Sequence, residues 1–235
     1  MNKKTLIYEV KNLQQVFNDR NTLQIGKLQI HKGTIYGIIG PVGSGKSSLL
    51  RHLAGLEKSS DGSVIYDSKE FKLNWIGKPN PPKEIKYVGM NGEKGKKIVS
   101  NYFSGKHGER YDTIKKKYFN IGNRRFIWNQ SMATLSNGEI SWINMIDAIE
   151  SDPRVLIVDN YAVLLDNDLE RDIGRRLKNM NRNLGTTIIL SGTDSERIQQ
   201  LASVMVFLDN GHISKVRSRN QKRFNRTYNK KNSNR

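Results

Sequence analysis

Residues 34–50 read TIYGIIGPVGSGKSSLL. An unbroken apolar run meets a cluster of glycines, then Lys-Ser-Ser, then the apolar-periodic start of a helix. The eight positions Gly40, Pro41, Val42, Gly43, Ser44, Gly45, Lys46 and Ser47 satisfy G-x-x-x-x-G-K-[ST]. The buried strand before them and the helix after them are the context this pattern needs. The residue types follow from what a phosphate requires. Glycines let the backbone curl so that several N–H groups face one anion. The helix N-terminus adds partial positive charge. Residues 40–47 are therefore the candidate phosphate cradle. Lys46 is the candidate for reaching the terminal phosphates, and the Ser47 hydroxyl for holding Mg²⁺. The bland alternative is a glycine-rich strand-to-helix turn.

Such a loop needs a second group on the magnesium side, usually an acid ending a neighbouring buried strand. VLIVD (155–159) supplies one in Asp159. Other apolar runs predict strands at 5–10, 22–30, 63–67, 85–88, 186–190 and 204–209, with helices at 45–54, 136–150, 166–181 and 194–201. The runs at 34–39, 155–159 and 186–190 lack polar alternation, as strands buried on both faces do. Alternation of apolar and helix-length segments in the second half argues for a parallel α/β sheet. Residues 91–135 are basic, rich in Gly and Tyr, and read as a mostly helical insertion.

The chain of 235 residues is 36% hydrophobic and 26% charged, enough for a core. It has no cysteine, so disulfides and thiolate metal sites are excluded. No apolar run approaches the roughly 18–20 residues of a membrane span, and the first ten residues lack the apolar stretch of a secretory signal. The net charge of +18 is uneven. Residues 94–125 hold ten Lys/Arg against Glu109 and Asp112, and the chain from 211 on holds nine Lys/Arg and no acid. A near-neutral body thus bears two basic appendages, suited to anionic lipid or a phosphate backbone, or simply solvated. Residues 215–235 are expected to be a disordered tail.

Residues 135–139, Leu-Ser-Asn-Gly-Glu, at the start of a helix and at fixed spacing before DPRVLIVDNYAVLLD, resemble the signature of ABC transporter nucleotide-binding domains. GTTIILSGTDSERIQQLASVMVFLDNGHI matches that family's last strand, helix and strand. The resemblance covers about residues 5–214. It implies a P-loop NTPase of ABC type: one nucleotide-binding domain over 1–214, with a mainly parallel core sheet, an antiparallel β subdomain and the helical insertion at 91–135. It implies ATP and Mg²⁺ as cofactors, with two domains packed head to tail around two ATPs. Position by position, Gly40 to Ser48 would cradle phosphate, and Asp159 would hold Mg²⁺ through water. Phe17 would stack on adenine, unless it is an ordinary core residue. Ser136 and Gly138 would contact the partner's γ-phosphate, and Asp166 matches the family's aspartate after the second carboxylate.

The same alignment exposes departures. Asn160 stands where the family has its catalytic glutamate; an amide can hydrogen-bond a water but cannot accept its proton. Thr193 stands in place of the switch histidine. Met90, or Asn91 after a one-residue shift, replaces the glutamine beside Mg²⁺, and a thioether is a poor ligand for that ion. Asn137 replaces a signature glycine, and Ser141 an arginine. Binding groups remain while groups that activate or sense water are gone. The expectation is slow hydrolysis in this site, unless Asp166 or Asp194 substitutes as base.

Transport is the reading these residues favour: the chain would be an ATP-binding subunit working at the inner face of the cell membrane. It would form a homodimer, or a heterodimer with another ATP-binding subunit, and act on separate transmembrane permease subunits, with basic regions against anionic lipid. The alternative is a soluble ABC-type switch that reaches nucleic acid or the ribosome through its tail; it usually needs two such domains or a coiled coil. A metabolic P-loop kinase would have no use for LSNGE.

Overall fold

The computed structural model describes residues 5–17, 20–89, 95–122 and 124–219. Met90 and Asn91 lie outside this range, as does the tail from 220 onward.

The core is a six-stranded sheet in the order β10 (His212–Ser218), β9 (Val204–Asp209), β3 (Ile35–Ile39), β8 (Thr187–Gly192), β7 (Val155–Val158), β6 (Ile85–Val88). Its neighbours run parallel except β9 and β10. The three strands without polar alternation are the central ones, and period two explains why. Ile35, Ile39, Leu156, Val158, Ile188 and Leu190 face one core; Tyr36, Ile38, Val155, Ile157 and Ile189 face another. With both faces buried, polar side chains are confined to the strand ends, as at Thr187 and Ser191 of β8, where each finds a hydrogen-bond partner.

The second core is closed by α1 (Lys46–Leu53) and by an antiparallel sheet. That sheet has the order β2 (Arg20–His31), β1 (Leu6–Phe17), β4 (Asp61–Tyr66), β5 (Lys69–Glu70). The first core is covered by α5 (Asn137–Glu150), α6 (Asn167–Leu184), α7 (Ser195–Gln199) and the insertion. The expected tail boundary at 214 falls inside β10, which pairs Lys215–Ser218 with Val204–Phe207. Strand structure thus corrects the disorder expected for these four residues.

The insertion is helical as expected: α2 (Val99–His107), α3 (Tyr111–Tyr118) and α4 (Arg124–Ile127). Phe103, Phe119 and Trp128 stack into one aromatic cluster, and Phe119 reaches Trp142 of α5. Much of its basic charge is structural. Lys106 and His107 bind Asp147, Arg110 binds Glu150 and Asp152, Lys117 binds Glu150, and Arg124 reaches Asp172. The buried Glu150 accepts from Lys117 Nζ at 2.5 Å, Tyr118 OH at 2.5 Å and Arg110 Nη2 at 3.0 Å.

Burial alone would raise the Glu150 pKa. Hydrogen bonds from Lys117 and Tyr118 outweigh it and hold the carboxyl below its ordinary value. A depressed carboxyl stabilises the fold above its unfolded pKa and loses that contribution as pH falls through the folded one. Glu150→Gln should therefore lower stability by about 2 kcal/mol at neutral pH. Urea unfolding at a series of pH values should show the gap between the two proteins shrinking below about pH 4.5. A gap independent of pH would show that the carboxylate charge contributes nothing.

Candidate functional site

Strand β3 delivers the chain to Gly40 at the C-terminal edge of the parallel sheet, where α/β folds place ligands. A Cβ at Gly40 would lie 2.3 Å from the Leu208 carbonyl, so no larger residue fits. Gly45 has φ 94° and serves as N-cap of α1, a conformation that only glycine takes readily. No side chain caps this helix start, which leaves its N–H groups to a ligand. Lys46 is 6% exposed. Its Nζ donates to the carbonyls of Gly40 (2.8 Å) and Pro41 (2.7 Å). Burial lowers its pKa, and the charge of Asp159 partly offsets this.

Asp159 follows β7 directly and is 8% exposed. Its backbone N–H donates to the Val88 carbonyl at 2.8 Å. Both carboxylate oxygens are engaged: Ser191 Oγ donates to Oδ1 at 2.6 Å, and Tyr87 OH to Oδ2 at 3.1 Å. Burial, reinforced by Asp159, pushes Tyr87 up to about 12, so it donates throughout the physiological range. The sequence reading missed both partners. A signal existed for Ser191: a polar residue ending the apolar run of β8, on the ligand-bearing edge.

Ser47, Tyr87, Gly89, Asp159 and Asn160 line one cleft of about 560 Å³, closed on the insertion side by Tyr102 and Lys106. Among the described residues no group of three or more His, Asp or Glu gathers into a metal cage. Mg²⁺ needs none, because it is held by one or two protein oxygens together with phosphates and water. The hydroxyl of Ser47 and the fixed carboxylate of Asp159 fit that requirement.

Asn160 has φ 54°. Asparagine tolerates this left-handed region better than most residues. Its N–H donates to Ser191 Oγ at 3.0 Å. Thr193 is exposed just past β8 and borders the Tyr161–Val163 segment that follows Asn160. Phe17 ends β1 and is 67% exposed, which removes the reading of it as a core residue.

Ser136 caps α5 in a reciprocal box. Its Oγ accepts from Glu139 N at 3.2 Å, and Glu139 Oε2 accepts from Ser136 N at 2.8 Å. Gly138 packs so closely that a Cβ would meet the Leu164 carbonyl at 2.7 Å. Its absence of side chain thus has a local reason as well. Ser141 borders a small cavity shared with Gly89, Asp159 and Asn160. Asp166 and Asp194 each cap a helix. Asp166 Oδ1 accepts from the N–H groups of Asp168 and Leu169 at the start of α6, and Asp194 Oδ1 from those of Glu196 and Arg197 at the start of α7.

Comparison with known proteins agrees with this architecture. A family model described as ABC transporter matches residues 23–162. The spermidine/putrescine import ATP-binding protein PotA of Bacillus thuringiensis (strain Al Hakam) is 28% identical over 223 residues, covering 89% of this chain and 65% of its own. The methionine import ATP-binding protein MetN of Clostridioides difficile (strain 630) is 28% identical over 218 residues, covering 88% of this chain and 67% of its own. The chain therefore spans about two thirds of the length of these relatives. Among solved structures, cbiO1 from Clostridium perfringens superposes with TM-score 0.74 at 20% identity over 92% of this chain and 89% of that one. A dimeric ATP-binding cassette in a post-hydrolysis state with ADP and Pi gives TM-score 0.74 at 19% identity, over 90% of this chain and 98% of that one. These two likenesses establish the fold. With its phosphate loop, its second carboxylate and a family model matching more than half its length, the chain belongs to the ABC transporter family.

Proposed function

We propose that this chain is the ATP-binding subunit of an ABC transporter, that it binds MgATP at an interface between two nucleotide-binding domains, and that its own site hydrolyses ATP slowly. The observation that carries this reading is the cleft holding Ser47 and Asp159 with Asn160, an amide, in the neighbouring slot. Lys46 would exchange the Gly40 and Pro41 carbonyls for phosphate oxygens. Bound Mg²⁺ supplies charge neutralisation on the phosphates. Ser47 and Asp159 would hold it, Asp159 through water and in the orientation set by Ser191 and Tyr87. Phe17 would stack on adenine, and Ser136 and Gly138 would meet the γ-phosphate bound to the facing domain.

Asn160 can position a water but cannot take its proton. The two candidate substitutes, Asp166 and Asp194, are tied to helix starts, and Asp194 is also paired with Arg197. Relatives named as import ATP-binding proteins favour transport over a nucleic-acid switch, and the dimeric cassette favours pairing of two such domains. Closure on ATP would move separate permease subunits from the inner face of the membrane.

Calorimetry should show MgATP binding that weakens about ten- to a hundredfold in Lys46→Ala, the loss of a charge-assisted bond to phosphate. The chain should also co-purify with an integral membrane protein. Fast phosphate release that survives Asn160→Ala but not Lys46→Ala would overturn the slow-site reading.

A further inference from the structure

A narrow tongue leaves the protein after β5. Its sequence is FKLNWIGKPNPPK (71–83). Asn80 N donates to the Lys72 carbonyl at 2.7 Å, Asn74 N donates to the Lys78 carbonyl at 2.8 Å, and Leu73 bridges to Pro79. The Asn74 side chain fixes the turn: its Oδ1 accepts from Ile76 N at 3.0 Å and Lys78 N at 2.9 Å. Gly77, at φ 73°, closes it. At the base, Phe71 stacks on Tyr66 with ring centroids 6.1 Å apart. The tip is therefore built and held out. Trp75 is 94% exposed, Ile76 60% and Leu73 53%.

Large apolar side chains grouped at a rigid tip mark a contact surface. What they contact follows from the charge around them. Lys72, Lys78 and Lys83 are all exposed, and residues 71–83 contain no Asp or Glu. An indole prefers the boundary between headgroups and acyl chains, and lysines are drawn to anionic lipid. We propose that Leu73, Trp75 and Ile76, framed by Lys72, Lys78 and Lys83, insert into the headgroup region of an anionic lipid surface. This is independent of whether the nucleotide site hydrolyses ATP.

The chain carries its own probe. Of its three tryptophans, Trp128 is 2% exposed and Trp142 0%, so Trp75 alone faces water. The full chain is titrated with vesicles of phosphatidylcholine, and of an equal mixture of phosphatidylcholine and phosphatidylglycerol. On the mixed vesicles, emission should shift to the blue and be quenched by lipids brominated on the acyl chains. Trp75→Ala combined with Ile76→Ser should weaken partitioning about tenfold or more. Each Lys→Gln at the tip should weaken it about fivefold. Thermal unfolding of the variants verifies that the body is intact.

Equal partitioning onto neutral and anionic vesicles would overturn the anionic assignment. Co-sedimentation of the tip variant with mixed vesicles as tight as that of the wild type, with no change in wild-type Trp75 emission, would overturn the proposal and give the role to the basic chain terminus. Absence of binding to either vesicle would overturn it.

Discussion

Asn160→Glu should raise single-turnover phosphate release by about a hundredfold or more, the lower end of what a positioned general base supplies. The position is defined by its neighbours. Asp159 is locked by Ser191, Tyr87 and the Val88 carbonyl, so the residue after it is displayed on the same cleft. Two features keep the gain at the lower end. The backbone at 160 has φ 54°, which a glutamate adopts at a cost of about 1 kcal/mol or more. Under the proposed reading Thr193 replaces an imidazole that would bridge to the γ-phosphate, so Asn160→Glu with Thr193→His should exceed the single change. MgATP binding should stay within a few-fold of wild type, because neither change touches Lys46 or Ser47. Unchanged phosphate release in both variants, with nucleotide binding intact, would show that the missing base is not what limits the site.

The elements that carry the chemistry were legible because their signals are local. The phosphate loop is one contiguous run, and its glycines are forced locally, by close carbonyls at Gly40 and Gly45 and by positive φ at Gly43 and Gly45. The helix expected over 136–150 is there as α5, with Ser136 as its cap. Strands buried on both faces advertise themselves by lacking polar residues. What stayed hidden depends on distance along the chain or on solvent exposure. Strand β10 is an edge strand with mostly exposed side chains, so its sequence HISKVRS carries no apolar period to read and its charges look like the start of a tail. The far half of β1 lies between β2 and β4, but with Leu13 as its one buried side chain it too carries no apolar period. Tyr87 lies 72 residues from Asp159 and Ser191 lies 32 residues from it; only the sheet order brings them together. The charge of the insertion misled for the same reason. Lys106, Arg110, Lys117 and Arg124 read as a surface, yet they meet acids on α5, on α6 and just past the end of α5, 33 to 48 residues away in sequence.

Trp142→Ala should lower the stability of the fold by about 3–5 kcal/mol, the range for emptying a fully buried aromatic site. Trp142 sits on α5 where the insertion meets the core. Phe119 meets it edge-on with centroids 5.0 Å apart, and the Arg124 guanidinium lies 5.2 Å from its ring. Removing the ring therefore opens a cavity between the two bodies and withdraws support from α3 and α4 together. The indole N–H finds no acceptor among the described residues, so polarity contributes nothing to holding the side chain there. Trp142→Phe keeps most of the apolar area and removes an unpaired donor, and its loss should stay near 1 kcal/mol. The contrast is the test, read from urea unfolding of both variants. Amide exchange should locate the damage: protection falls over α3 and α4 in Trp142→Ala while α1 keeps its own, because Leu49, Leu50 and Leu53 belong to the other core. Equal losses in the two variants would mean that the indole N–H does have a partner. Equal loss of protection in both cores would mean that the insertion and the phosphate loop open as one unit. Under the transport reading, that second outcome would make the insertion a rigid lever on the nucleotide site rather than a separately docked body.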